Sequence, residues 1–300
     1  MPRSVLTNRP DRCLVMGILN VTPDSFSGDG LGQESDILQA SRNQAHGFVQ
    51  AGADILDVGG ESTRPGATLV DAQEETARIV PVIRALRADH PDVAISIDTY
   101  KADVARHALE AGADIVNDVW ALQGDPDMAS VVRDARCPVI LMHNRSRPGE
   151  AIRDTVAGAS YTAPDYGEDF MDRVIDELKR IADNALDKGI DASRITLDPG
   201  VGFGKTPEQN MALIDGIDRI AEIGFPVLLG ASRKSFLGKV LNLPGGDRKE
   251  ATLATTALAV MRGAAAVRVH DVAENVKLVR MTEALLRSGR ALVRRDGTAA

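Results

Sequence analysis

Cysteine is scarce in this 300-residue chain: only Cys13 and Cys137 occur, and no cluster of Cys and His accompanies them. That excludes a disulfide framework and a thiolate metal site. Both thiols lie near the starts of apolar runs, so they read as buried small hydrophobes, neither bridged nor nucleophilic. Long apolar runs are missing too. None approaches the ~20 residues that a membrane-spanning helix requires. Arg3, Arg9 and Arg12 precede the run Leu14–Leu19, but it is short for a secretion-signal core and stops at Asn20. Positive charge is not in excess. The net charge is −8, which leaves no basic footprint for a nucleic acid. There is no His-Glu-x-x-His and no Gly-x-Ser-x-Gly, so zincin and serine-hydrolase chemistry lack their carriers. Gly200–Thr206 looks like a phosphate loop, but Pro199 stands where the Walker spacing demands glycine, and a dinucleotide fingerprint fails on spacing as well. What remains is an ordinary globular composition, 44% hydrophobic and 26% charged. The expectation is a soluble, cytoplasmic protein.

What the chain does have is a regular set of short apolar runs, each ending in one polar residue. Leu14–Leu19 runs into Asn20, Ala94–Ile97 into Asp98, Ile115–Val116 into Asn117 and Val139–Met142 into His143. Ile195–Leu197 ends at Asp198, and Ala265–Val269 carries Arg268 and leads to His270. Such runs, flanked by turn residues, read as strands buried on both faces. Eight are expected, near 14–20, 54–58, 94–98, 114–117, 138–142, 194–198, 226–230 and 265–269. Helical patterns separate them, near 34–51, 71–89, 101–111, 126–135, 166–188, 207–223, 235–241 with 248–262, and 271–288. The clearest stripe is Phe170, Val174, Leu178, Ile181 and Ala185. Eight strand–helix units in one chain predict an α/β fold, a (β/α)8 TIM barrel with its site at the carboxyl ends of the strands. No interdomain linker is visible. Residues 1–13 read as a lead-in, 14–288 as one domain and 289–300 as a frayed tail. Two joints repeat, Ala51-Gly52-Ala53-Asp54-Ile55 and Ala111-Gly112-Ala113-Asp114-Ile115, each suited to a left-handed glycine cap. The loops after the first two strands, Val21–Gln33 and Gly59–Val70, are long, as functional loops are.

Taken as one rim, Asp98, Asn117 and Asp198 offer two carboxylates and an amide. Such groups accept from and donate to the edge of an amino-substituted heterocycle. Lys234, Arg268 and His270 add positive charge from the seventh and eighth strands, the sector where barrels commonly bind phosphate, and a helix starting at Asp271 points N–H groups the same way. Asn20 is expected to face that sector across the barrel. Its amide oxygen suits Mg²⁺, which takes few protein ligands and shares phosphate oxygens. No nucleophile for covalent catalysis stands out.

In order along residues 14–288, the blocks Met16-Gly-Ile-Leu-Asn20-Val-Thr-Pro-Asp-Ser-Phe26, Asp57-Val-Gly-Gly-Glu61-Ser-Thr-Arg64-Pro-Gly, Ser96-Ile-Asp98-Thr99, Asn117-Asp118-Val and Met142-His143 resemble dihydropteroate synthases. Leu197-Asp198-Pro-Gly200-Val-Gly-Phe203-Gly-Lys, Gly230-Ala-Ser-Arg-Lys234-Ser235 and Arg268-Val-His270-Asp271 complete the set. The resemblance implies a transferase of folate biosynthesis that joins 6-hydroxymethyl-7,8-dihydropterin diphosphate to 4-aminobenzoate and is the target of sulfonamides. By motif, Asp98, Asn117, Asp198, Lys234 and Arg268 hold the pterin, with Met142 and Phe203 as walls. Asn20, Arg268 and His270 go with the pyrophosphate and Mg²⁺. Phe26, Ser62, Thr63, Arg64, Pro65 and Ser235 go with the aminobenzoate. The catalytic set is Asp98, Lys234, Arg268 and His270. A homodimer is also implied, built on the late helices, where Leu253, Ala257 and Val260 serve either core or interface.

One departure is visible: the first loop reads Ser27-Gly28-Asp29-Gly30, where the family usually has Ser-Asp-Gly-Gly, so its carboxylate has moved by one place. Asp57 reads as structural. His143 has no assigned role, and His46, His90 and His107 read as solvated. The alternatives are a pterin-binding methyltransferase, which would lack Ser62-Thr-Arg64-Pro and Lys234-Ser235, and a pterin-binding paralogue without activity.

Overall fold

The computed structural model describes residues 6, 12–22, 34–61, 69–146, 152–154, 158–160, 165–243 and 248–295. In chain order these form β1 (Leu14–Asn20), α1 (Glu34–Ala51), β2 (Ile55–Gly59), α2 (Ala72–Asp89), β3 (Ala94–Asp98), α3 (Ala102–Ala111), β4 (Ile115–Asp118), α4 (Met128–Ala135) and β5 (Val139–Met142). There follow β6 (Ile152–Asp154), β7 (Gly158–Ser160), α5 (Phe170–Asp187), β8 (Ile195–Asp198), α6 (Pro207–Asp215), α7 (Ile217–Ala221), β9 (Leu228–Leu229), α8 (Ser235–Leu241), α9 (Lys249–Met261), β10 (Ala266–Val269) and α10 (Val272–Arg295). Eight strands pair in the order β8-β5-β4-β3-β2-β1-β10-β9, with every pairing parallel. The ring closes between β8 and β9: Leu197 bridges Val227, and its N–H donates to the Pro226 carbonyl at 2.9 Å. This is the expected (β/α)8 barrel.

Strand alternation explains where the site sits. Within each strand, successive side chains face opposite ways. Leu14, Met16, Ile55, Ala94, Ile115, Ile140, Leu228 and Ala266 pack together inside the barrel. Val15, Leu56, Ile95, Val116, Val139, Leu197 and Val267 face the helices instead. Stepping two residues up each inward column reaches Asn117 from Ile115, Met142 from Ile140 and Arg268 from Ala266. From Ala94 the column runs through Ser96 to Asp98. The lumen is therefore apolar at the amino ends of the strands and polar at their carboxyl ends.

Both repeated joints use their glycine as expected, with φ of 98° at Gly52 and 116° at Gly112. Their aspartates brace the preceding strand: Asp54 accepts from Val15 N–H at 3.0 Å, and Asp114 from Ile95 N–H at 2.9 Å. The α5 stripe faces the core: Val174, Leu178, Ile181 and Ala185 are buried and Phe170 packs beside them. Cys13 and Cys137 are buried free thiols. No described helix is long and apolar enough to cross a membrane.

Several expectations need correction. β1 pairs directly with β10, so Asn20 stands beside the Arg268 strand and not across the barrel from it. Residues 226–230 yield only Leu228–Leu229 as strand, because Pro226 has no N–H to donate to a ladder. Residues 207–223 form two helices that part at Gly216. The last helix continues past 288 to Arg295. The hairpin of β6 and β7 has no counterpart in the sequence pattern. Val260 belongs to the core, whereas Leu253 and Ala257 are half-buried.

Candidate active site

Register brings the strand-end residues together. Asn20 pairs with Gly59, Gly59 with Asp98 and Asp98 with Asn117, which sets one row across β1, β2, β3 and β4. On the other side of β5, Met142 pairs with Asp198. Arg268 leans over this row from β10. Its Nε donates to Asp57 Oδ2 at 2.6 Å and its Nη2 to Asp98 Oδ2 at 2.5 Å. Asn117 Nδ2 makes a longer contact to Asp57, at 3.4 Å. Asp57 is therefore more than the structural carboxylate expected: it orients the arginine and the amide of the rim. Its signal was the inward column of β2, which it shares with Ile55.

The charges are strongly desolvated. Burial pushes the Asp98 carboxyl above its ordinary value, against the pull of the Arg268 guanidinium. Asp198 is raised by burial too, opposed by Lys234. Its Oδ1 accepts from Gly200 N–H at 2.7 Å. Burial is also the first cause that brings Lys234 down to about 7, with Asp198 resisting. Among the described residues, Asp98 Oδ1 is buried without a hydrogen-bond partner. A buried acceptor left open at the mouth is a ready contact for a ligand N–H.

One flank of the mouth is apolar. Val119, Trp120 and Met142 cluster there, with Tyr100 and Phe203 packed against them. Lys234 Nζ stands 4.0 Å from the centre of the Phe203 ring and donates to the Val201 carbonyl. Tyr100 and Trp120 were not singled out in the sequence. They meet edge to face at 4.6 Å only because β3 and β4 are neighbours. At the opposite flank, Ser232 Oγ accepts from the His270 N–H at 3.1 Å and lies 3.0 Å from His270 Nδ1. Ser235 is the exposed first residue of α8. Phe26, Asp29, Ser62, Thr63, Arg64 and Pro65 lie outside the described residues.

His143 turns away from the lumen. It is 1% exposed, and its Nε2 lies 2.8 Å from Glu177 Oε2. Burial first, then the Lys205 ammonium, push its imidazole from 6.5 down to about 4, against the pull of Glu177. The neutral ring is thus the folded form. At pH 7 it is neutral folded or unfolded. Below about 6.5 the unfolded chain takes a proton that the fold resists, so stability falls until about pH 4. Urea unfolding at pH 7 and pH 5 should show this group contributing a loss of about 2 kcal/mol that is absent from His143→Gln. An equal loss in both proteins would refute the assignment.

A family profile described as "Pterin binding enzyme" matches residues 16–270. The dihydropteroate synthase of Clostridium beijerinckii is 44% identical over 281 residues, covering 93% of this chain and 97% of that protein. This chain belongs to the dihydropteroate synthase family. Two solved synthases agree in shape. That of Clostridium difficile, crystallised in the presence of pteroic acid, is 44% identical with a TM-score of 0.81, covering 92% of this chain and 97% of its own. That of Xanthomonas albilineans, solved with 4-aminobenzoic acid, is 39% identical with a TM-score of 0.79, covering 92% and 94%. Dihydropteroate synthases are transferases, and this one carries the rim of carboxylates, amide, arginine and lysine at the mouth of its barrel.

Proposed function

We propose that this synthase joins 6-hydroxymethyl-7,8-dihydropterin diphosphate to 4-aminobenzoate at the mouth of the barrel, releasing 7,8-dihydropteroate and pyrophosphate. The observation that carries the assignment of the site is the convergence of Asp98, Asn117 and Asp198 with Arg268 and Lys234 in one desolvated mouth. The carboxylates accept the ring N–H groups, and the Asn117 amide meets the remaining edge. The Arg268 guanidinium lies over the flat ring, a stacking role that suits its plane better than a lysine would. Met142 and Phe203 form the apolar wall. Asn20, Arg268 and His270 hold the diphosphate, while Phe26, Ser62, Thr63, Arg64, Pro65 and Ser235 hold the aminobenzoate.

Asn20 contributes one hard oxygen, and the described residues hold no group of three or more His, Cys, Asp or Glu that could cage a metal. That donor set fits Mg²⁺ shared with the substrate's phosphates. Bound there, Mg²⁺ neutralises negative charge on the diphosphate. The chain's own groups do the rest. The methylene C–O bond breaks with its electron pair leaving on pyrophosphate, whose growing charge Arg268 and His270 stabilise. Asp98 and Asp198 steady the positive charge spread over the pterin and its methylene. The aniline nitrogen then supplies its lone pair and sheds a proton to solvent. The displacement is of the SN1 type, and exclusion of water keeps the cation from being captured.

Release of pyrophosphate that aminobenzoate accelerates strongly, with pteroate formed in step, and that stops on chelation of Mg²⁺ is the expected result. Release that ignores aminobenzoate and yields no pteroate would sink the reading. Slow cleavage to free hydroxymethyl-pterin without aminobenzoate would support the dissociative path. We also propose a homodimer. Met261, Met281 and Leu285 support it, lying 60%, 58% and 59% exposed on the last two helices. A monomer mass by light scattering would contradict it.

A further inference from the structure

The loop that leaves β8 is held from within by a charge to which the chemistry above assigns no task. In this short turn Gly200, Gly202 and Gly204 all have left-handed backbones, with φ of 69°, 84° and 58°. Three carbonyls converge on one ammonium there. Lys205 Nζ donates to Gly200 O at 2.9 Å, Phe203 O at 3.0 Å and His143 O at 3.4 Å. A Cβ at Gly200 would stand 2.0 Å from the His143 carbonyl oxygen and 3.2 Å from Lys205 Nζ. The ammonium thus fills the heart of the turn. Buried Asn210 closes the other side, accepting from Gly202 N–H at 2.6 Å and donating to the Lys205 carbonyl at 3.2 Å.

This arrangement is unusual for lysine. All three described partners are backbone oxygens, the donor set that a monovalent cation would take. Burial, then the charge of Lys234, bring the amine down to about 7 from 10.5, while the charges of Asp198 and Glu177 favour the ammonium. A buried ammonium that no described carboxylate hydrogen-bonds is a poor device for stability. What it does control is shape. Gly200 carries the N–H that meets Asp198, Val201 carries the carbonyl that takes Lys234, and Phe203 is the ring under that lysine.

We propose that Lys205 is a positioning residue, a built-in cation that gathers the carbonyls of His143, Gly200 and Phe203 and so sets Asp198, Lys234 and Phe203 for the pterin. This rests on the pterin reading of the mouth given above. Lys205→Ala removes the ammonium and leaves room for n-propylammonium. The expected result is a rise of about 10- to 100-fold in KM for the pterin diphosphate, the size of one or two charge-assisted hydrogen bonds, with KM for aminobenzoate changed less than about twofold. Added n-propylammonium should reverse most of the rise in a saturable way, and tetramethylammonium at equal ionic strength should not. A merely structural lysine would not split the two KM values in this way, and the discrimination between the two cations shows that the pocket of carbonyls is the place rescued. An unchanged pterin KM, or a loss that n-propylammonium leaves in place, overturns the inference. If Lys205→Ala does not fold alone, it is refolded with n-propylammonium and the ligand then titrated out: a pterin KM that rises while the aminobenzoate KM holds supports the role, and two KM values that move together, or no recovery, overturn it. Failure of the wild-type enzyme to release pyrophosphate with aminobenzoate would instead defeat the reading of the mouth itself.

Discussion

Asp98→Asn is expected to lower kcat/KM for the pterin diphosphate by about a thousandfold, which corresponds to about 4 kcal/mol of lost stabilisation. The substitution keeps the shape and removes the charge. It places an NH₂ group where the mouth needs an acceptor, and it breaks a buried pair in which Arg268 Nη2 reaches the carboxylate at 2.5 Å. Asp57 keeps its own bond to Arg268 Nε at 2.6 Å, so the arginine stays tethered and the fold survives. Steady-state release of pyrophosphate, with a thermal midpoint close to that of wild type, is the measurement. A rate within about threefold of wild type would remove Asp98 from the site.

Lys101→Met should produce the largest loss of stability. Lys101 Nζ pairs with both Glu61 and Glu75, whose side chains are only 6% and 1% exposed. Burial already raises the Glu75 carboxyl. Removing the ammonium leaves two carboxylates facing each other away from water, at a cost of about 3–5 kcal/mol. For a domain of this size that lowers the thermal midpoint by about 5–8 °C. Lys101→Met with Glu75→Gln should recover a large part of it, and a recovery near zero would show that the triad is not the source. The pair has a bearing on the site as well. Glu61 Oε1 accepts from Val70 N–H at 3.3 Å, so this carboxylate ties together the chain on both sides of residues 62–68.

Much of this architecture is legible in the chain because a strand buried on both faces leaves an unmistakable trace. Ile95 and Ile97 face helices while Ala94 and Ser96 face the lumen, and the apolar run stops at Asp98 because the core stops there. Partnerships across the ring are a different matter. The tie from Arg268 to Asp57 spans 211 residues, and no local pattern announces it. The same holds for His143 with Glu177, which needs α5 packed outside β5. The sequence pattern suggests Asn20 across the lumen from Arg268, whereas ring order makes the two strands neighbours. Local periodicity says which way a residue points, but not which strand closes the circle. Lys205 was hidden for another reason: its partners are main-chain oxygens, which leave no signature in side-chain identity.

The two-residue alternation that aims the rim has an evolutionary corollary. Deleting or inserting a single residue inside β3, β4, β8 or β10 would rotate the strand end by half a turn, exchanging Ile97 for Asp98 or Val269 for Arg268 at the lumen. No partially working intermediate lies between the two settings. Connections that carry no site residue can therefore change in length, while the spacing inside each strand is as constrained as the reactive side chains themselves.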